Sequence, residues 1–307
     1  MTSSTARRVA VGPSGAPTWV EAAVRDGGAE LVSVEHADAL VWWDHTALDD
    51  LLDHLSRRPS LEWVQLPFAG IEDFLGVIDE DRVWTCGKGA YSAPVAELAL
   101  ALALGGLRST HRYARERRWG EPLGRGLHGE RVTIVGGGGI ARSLLALLEP
   151  FGCRTTIVRR SDQPVPGADL VVSPDHLVDA LADALVVVLA APLTDETRGL
   201  IGADELAMMT SDTWLINVAR GALVDTDALV EALRDGVIGG AALDVTDPEP
   251  LPADHPLWSL DNCVITPHVG NTPEMREPLL GPRIRDNVRA YCRGEELDGV
   301  IDPRVGY

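Results

Sequence analysis

The sequence predicts an α/β protein built on doubly wound parallel sheets, and three observations carry that expectation. Residues 131–141, RVTIVGGGGIA, place a β-branched apolar run, four glycines and a helical run end to end. Short apolar strands alternate with helical segments on both sides of that stretch, the pattern of parallel βαβ units. A chain of 307 residues is long enough for two such domains.

In the glycine stretch each small residue has a reason. Gly136 permits the tight turn after the strand, and Gly138 lets the backbone approach a pyrophosphate. The helical run reads as Ile140 to Leu148, and Ala141 is small enough for helix and strand to pack closely. The helix N-terminus then offers free N–H groups and a partial positive charge to phosphates. A glycine run is also a flexible loop by the turn rules. The order of strand, glycines and helix favours the phosphate-binding reading.

Before that stretch, residues 7–11, 31–34, 39–43, 61–66 and 82–86 read as strands, with helices over about 17–26 and 48–56. Together they make a small α/β domain. Pro94 suits the first turn of a long helix, PVAELALALALGGLRSTHRYARERRW, apolar at first and basic later. A glycine-rich loop, 120–129, leads into the central strand. Beyond it, 155–158, 170–172, 185–189, 214–218, 241–245 and 263–266 read as strands, with a helix over 225–234. A last helix, about 274–293, returns the chain to the first domain.

Composition excludes some partners. With 27 basic against 46 acidic residues the formal charge is −19, which disfavours nucleic acid and anionic membranes. The four cysteines, Cys86, Cys153, Cys263 and Cys292, are widely spaced and form no C-x-x-C, as expected of free thiols in a reducing cytoplasm. No signal peptide follows the N-terminus, and no apolar run is long enough to span a bilayer. No metal-binding spacing is present, and neither G-x-S-x-G nor H-E-x-x-H supports a hydrolase.

Chemistry-bearing residues gather at strand ends. Arg220 follows WLINVA, Asp244 and Glu249 surround the end of AALDV, and His268 follows CVITP. Ligands of open parallel sheets bind beyond the carboxyl ends of the strands. Each of these residues alone could be a solvated loop side chain. Their joint occurrence after successive strands points to one crevice.

These motifs make the chain recognisable. It resembles the D-isomer-specific 2-hydroxyacid dehydrogenases, in particular their glyoxylate/hydroxypyruvate reductase-like branch. The resemblance rests on IVGGGGIA (134–141), PLTDETRGLI (192–201), WLINVARGALVD (214–225), AALDVTDPEPLPADHPLW (241–258) and VITPHVG (264–270). LEWVQLPFAGIE (61–72) and GAYSAPVAELAL (89–100) match more loosely.

The resemblance implies two Rossmann-like domains with the active site in the cleft between them: 1–98 plus 276–307 for substrate, and 99–275 for the dinucleotide. It implies a homodimer, formed through the cofactor domain and its entry helix. It also implies roles. His268 would protonate the carbonyl oxygen as hydride arrives, and Glu249 would pair with it and fix its ring. Arg220 would hold the substrate's carboxylate or carbonyl oxygen. Ala69 and Gly70 would offer backbone N–H groups to the carboxylate. Asp244 would hold the nicotinamide carboxamide, Gly139 and Ile140 would touch the pyrophosphate, and Ala191, Pro192, Thr197 and Val218 would line the groove. The implied activity is reduction of a small 2-oxo acid to the D-2-hydroxy acid.

Two departures from the family pattern refine this. Where an acidic residue often accepts from the ribose of NAD, this chain has Arg159 and Arg160 after TTIV. Arginine can pair with a 2′-phosphate, so NADP is favoured over NAD; two exposed loop arginines with NAD accepted is the alternative. Where phosphoglycerate dehydrogenases carry an arginine, this chain has Trp43 and Asp44, which disfavours a phosphorylated substrate. Glu249 stands where formate dehydrogenases usually have Gln. A nicotinamide-sensing binding protein without turnover is the competing class. The acidic charge and the intact Arg220, Glu249 and His268 argue against it.

Overall fold

A computed structural model describes residues 6–303. Contacts group residues up to Tyr91 with those from Thr272 onward as a first unit, and Ser92–Asn271 as a second.

In the first unit, β1 (Arg8–Gly12), α1 (Thr18–Asp26), β2 (Glu30–Leu31), β3 (Ala39–Trp42), α2 (Leu48–Arg57), β4 (Trp63–Gln65) and β5 (Val83–Thr85) follow one another. The strands are all parallel, in the order β2-β1-β3-β4-β5. β3 is buried throughout, so ALVW shows no polar alternation. Trp42, Trp63, Trp84 and Phe74 are its largest buried side chains, an unusually aromatic core for so short a set of strands. α2 turns Leu51 and Leu55, one helical turn apart, onto that core and leaves Asp49 and Asp50 in its first turn, where the helix dipole favours them. The expected strand over 31–34 is shorter than its sequence reads. Pairing stops at Leu31, and a 3-10 turn at Val34–His36 carries Val34 into the core instead of along the sheet edge.

The second unit opens with α3 (Ser92–Leu107) and α4 (Thr110–Tyr113). The sequence predicts one helix from Pro94 to Trp119; the structure breaks it. A Cβ on Gly106 would lie 2.2 Å from the Trp214 ring, so the helix is pressed against a core indole there. Ser109 then takes a left-handed conformation (φ 52°), and the Thr110 hydroxyl donates to Gly105 O. The charged tail beyond has no apolar face to bury, which removes the usual support for a helix.

There follow β6 (Arg131–Val135), α5 (Gly139–Leu148), β7 (Arg154–Val158), β8 (Leu170–Val172), α6 (Leu177–Leu181), β9 (Val186–Leu189), α7 (Ala203–Met208), β10 (Trp214–Asn217), α8 (Thr226–Arg234), β11 (Gly240–Leu243) and β12 (Cys263–Ile265). The seven strands are parallel, in the order β12-β11-β10-β9-β6-β7-β8. The chain therefore runs outward from β6 to β8, returns to β9, and runs outward the other way. The switch point lies between β6 and β9, where such sheets open a ligand crevice at the carboxyl ends.

α9 (Pro273–Arg293) belongs to the first unit. Its Asn287 amide donates to Gln65 Oε1 and to Asp298 O, both at 2.8 Å. Gln65 Oε1 also accepts from the Thr85 hydroxyl, which accepts from the Trp63 indole. These buried polar groups are thus paired with one another and pin the helix to the sheet. Among the described residues no helix is long and apolar enough to cross a membrane.

Candidate active site

The glycine turn sits at the switch point. Gly136 has φ 114°, and a Cβ there would fall 2.4 Å from the backbone oxygen of Ala190, beyond the end of β9. Glycine is required twice over, by conformation and by the close approach of the two strand ends. At Gly138 the space where a side chain would stand is open. Gly138 is the N-cap of α5, with no side chain satisfying the first N–H groups of the helix. Gly139 is exposed and Ile140 half-buried at that first turn. An exposed, uncapped first turn with room above Gly138 fits a cofactor pyrophosphate.

Gly137, to which the sequence attaches no role, has one. A Cβ there would lie 2.7 Å from Cδ of Arg159, so the arginine lies across the turn. Arg159 has no carboxylate partner among the described residues. Arg160 does, facing Glu196 at 3.6 Å on the surface. Of the two arginines, Arg159 is the one placed beside the turn with its charge uncompensated.

On the other side of the switch point, Ala191 is half-buried and Pro192 exposed, and Val218, beyond β10, is buried. The Thr197 hydroxyl donates to Pro192 O at 2.7 Å and accepts from Thr194 N at 2.8 Å. Its hydrogen bonds shape the 192–197 loop itself.

Arg220 follows β10 in extended backbone. The buried Asn217 sets the turn: its amide donates to Arg220 O at 2.8 Å, and its oxygen accepts from Ala219 N at 3.1 Å. A polar residue inside the apolar run WLIN was the available signal for this brace. A Cβ on Gly221 would fall 2.0 Å from Thr246 O, so the Arg220 turn presses directly on the loop after β11. That loop carries Glu249.

Glu249 and His268 meet. His268 Nδ1 and Glu249 Oε1 are 2.6 Å apart, both side chains about half exposed. With the carboxylate accepting, Nδ1 carries the hydrogen, and Nε2 has no partner among the described residues. His268 has φ 52°, a conformation non-glycine residues rarely adopt. Asp244 holds it there. The buried Asp244 carboxylate accepts from Val269 N and Gly270 N, each at 2.9 Å, and from the Thr266 hydroxyl. Its backbone oxygen accepts from His268 N at 2.9 Å. The sequence resemblance gives Asp244 a contact to the nicotinamide; the structure gives it the bracing of the histidine loop, with Thr266 as an unforeseen partner.

In the first unit, Ala69 is exposed and Gly70 half-buried, in the loop after β4. Neighbouring Phe68 O accepts from Gly87 N at 2.9 Å, which fixes the loop. The N–H groups of Ala69 and Gly70 make no hydrogen bond among the described residues, leaving two donors side by side.

A parallel sheet with an uncapped glycine turn at its switch point, and a histidine–carboxylate pair on the strand ends beyond, defines a dinucleotide-dependent oxidoreductase. The chain belongs to the D-isomer specific 2-hydroxyacid dehydrogenase family: the family's NAD binding domain matches residues 98–270. It is similar to the glyoxylate reductase of Pyrococcus horikoshii, 35% identical over 295 residues, covering 90% of this chain and 86% of that one. The crystal structure of a D-isomer specific 2-hydroxyacid dehydrogenase from Xanthobacter autotrophicus, in complex with NADPH and MES, superposes with a TM-score of 0.84 at 28% identity, over 99% of this chain and all of that one. An NADPH-dependent glyoxylate/hydroxypyruvate reductase from Sinorhizobium meliloti, in complex with NADP and sulfate, gives 0.81 at 25% identity, over 98% and 100% of the two chains. The activity is that of an NAD(P)-dependent D-2-hydroxyacid dehydrogenase acting on 2-oxo acids.

Proposed function

We propose that the protein reduces small 2-oxo acids of the glyoxylate and hydroxypyruvate kind to D-2-hydroxy acids, with NADPH preferred. The observation that carries this reading is the Glu249–His268 pair, with Nε2 of the imidazole left free. A nicotinamide cofactor held at the glycine turn would supply the hydride for the carbonyl carbon. His268, doubly protonated at the start, gives its Nε2 proton to the carbonyl oxygen and is left neutral with the hydrogen on Nδ1, so hydride and proton together complete the alcohol. Glu249 keeps the hydrogen on Nδ1 and holds the ring in place, and Asp244 holds the loop. Arg220 orients the substrate through charge-assisted hydrogen bonds to its carboxylate or carbonyl oxygen. The N–H groups of Ala69 and Gly70 receive the carboxylate. Gly136, Gly138, Gly139 and Ile140 form the pyrophosphate seat, and Ala191, Pro192, Thr197 and Val218 the groove beside it.

NADPH preference rests on Arg159, which lies over Gly137 without a carboxylate of its own. Hydrogen bonds to charged groups contribute about 1.5–3 kcal/mol, equivalent to roughly ten- to a hundredfold in affinity. The test is kcat/KM for NADPH and NADH with hydroxypyruvate at fixed ionic strength, in the native protein and in Arg159→Asp. Preference for NADPH that collapses in the variant supports the reading. A native preference for NADH contradicts it. We also infer a homodimer assembled through the second unit, which a solution mass of one chain would overturn.

A further inference from the structure

The first unit carries a cation that none of these roles uses. β3 and β4 are neighbours in the sheet, and Trp43 and Phe68 stand on the loops beyond their carboxyl ends. Arg276, in the first turn of α9, lays its guanidinium over both rings, 5.1 Å from the Phe68 centroid and 5.9 Å from that of Trp43. Trp19 holds Trp43 edge-on at 5.0 Å, and His45 approaches Phe68 at 5.3 Å. Arg276 is half-buried, and its Nε is buried without a hydrogen-bond partner. No carboxylate among the described residues forms an ion pair with it.

The nearby acids are otherwise engaged. Asp44, which in the sequence argues against a phosphate here, accepts from the Thr46 backbone N–H and hydroxyl, each at 2.8 Å. Glu274 is held below the ordinary carboxylate range by its own backbone N–H and the Thr272 hydroxyl, and feels Arg276 only as a lesser, through-space charge. Ring faces orient a guanidinium while leaving its in-plane donors free. A stacked arginine without an anion is a seat for a planar carboxylate, which it can meet with two parallel hydrogen bonds. The seat adjoins Ala69 and Gly70, the residues directly after Phe68.

We propose that Arg276 is a specificity residue that reads a second carboxylate at the distal end of the substrate, so that the preferred substrates are 2-oxo dicarboxylic acids. This rests on the reading that Ala69 and Gly70 receive the first carboxylate. It narrows the expectation that Trp43 and Asp44 disfavour a phosphorylated substrate: the distal anion is a planar carboxylate, and its cation comes from a helix at the far end of the chain.

The test compares oxaloacetate with glyoxylate, which has no distal group, using NADPH and the full-length protein. Native kcat/KM is higher for oxaloacetate by tenfold or more. Arg276→Met lowers it for oxaloacetate at least tenfold and for glyoxylate less than threefold, and Arg276→Lys falls between. Glyoxylate turnover reports that the variants are folded. Equal losses for both acids, or no change in selectivity, overturn the proposal alone. Failure of the native protein to reduce either acid overturns the reading of the site, and the proposal with it.

Discussion

At Asp244 one carboxylate organises three donors around His268, and the consequence can be measured. Asparagine at this position keeps the shape but offers only one acceptor oxygen, so a backbone N–H is left facing an amide NH₂. Leaving a buried donor unsatisfied costs about 1–3 kcal/mol, and the left-handed backbone of His268 adds strain that the braces must hold. Asp244→Asn is expected to lower kcat tenfold or more while KM for NADPH stays within about threefold, from the same hydrogen-bond magnitude. A variant with raised KM and native kcat would mean that Asp244 acts on the cofactor and not through the histidine loop. The Glu249–His268 contact was legible in the sequence because both residues follow strands that read clearly. Thr266 and Asn217 were less so: their hydroxyl and amide act on backbone and neighbouring side chains, and nothing in spacing announces that. Arg276 was not legible, since the rings it covers lie more than two hundred positions away along the chain.

The elements that carry the site depend on glycines placed against backbone. Gly136 is the sharpest case, with φ 114° and a virtual Cβ 2.4 Å from Ala190 O. Gly136→Ala must shift β6 relative to β9 or distort the turn, and is expected to cost about 1–3 kcal/mol of stability from backbone strain alone. Urea unfolding reads this, and a midpoint equal to that of the native protein would contradict the packing described. The residue pattern of α5 and of the strands of both sheets, β2 excepted, was enough to place them. The over-long helix beginning at Pro94 shows where periodicity fails. Its composition stays helix-compatible past Leu107, and the break falls at Ser109, which takes a left-handed conformation that no periodicity announces. Likewise, Gly137 reads in sequence as one more glycine of four, and its function depends on where the Arg159 side chain lies.

At the scale of the whole molecule, the first unit has an acid-sensitive fastening. Arg8 on β1 donates to Asp38 at 2.7 Å, and this hydrogen bond, ahead of the opposing effect of burial, holds the Asp38 carboxyl below its ordinary range. The folded state therefore binds this proton less readily than the unfolded chain. The stabilisation is present above the ordinary carboxylate pKa of about 4 and is lost as pH falls through the lowered value. Between pH 6 and pH 3 the native protein should lose stability more steeply than Asp38→Asn; parallel slopes would show that the pair contributes nothing to the pH dependence. The proposed chemistry belongs to the second unit, where the glycine turn, Arg220 and the Glu249–His268 pair stand beyond the carboxyl ends of one sheet. The measurement that tests it most directly is steady-state reduction of hydroxypyruvate by NADPH, with chiral analysis of the product, in the native protein and in His268→Ala. The native protein is expected to give D-glycerate, and the variant a kcat lower by about 10²–10⁴-fold, the usual share of general acid catalysis. Native-like kcat in His268→Ala, or L-glycerate as the product, would contradict it.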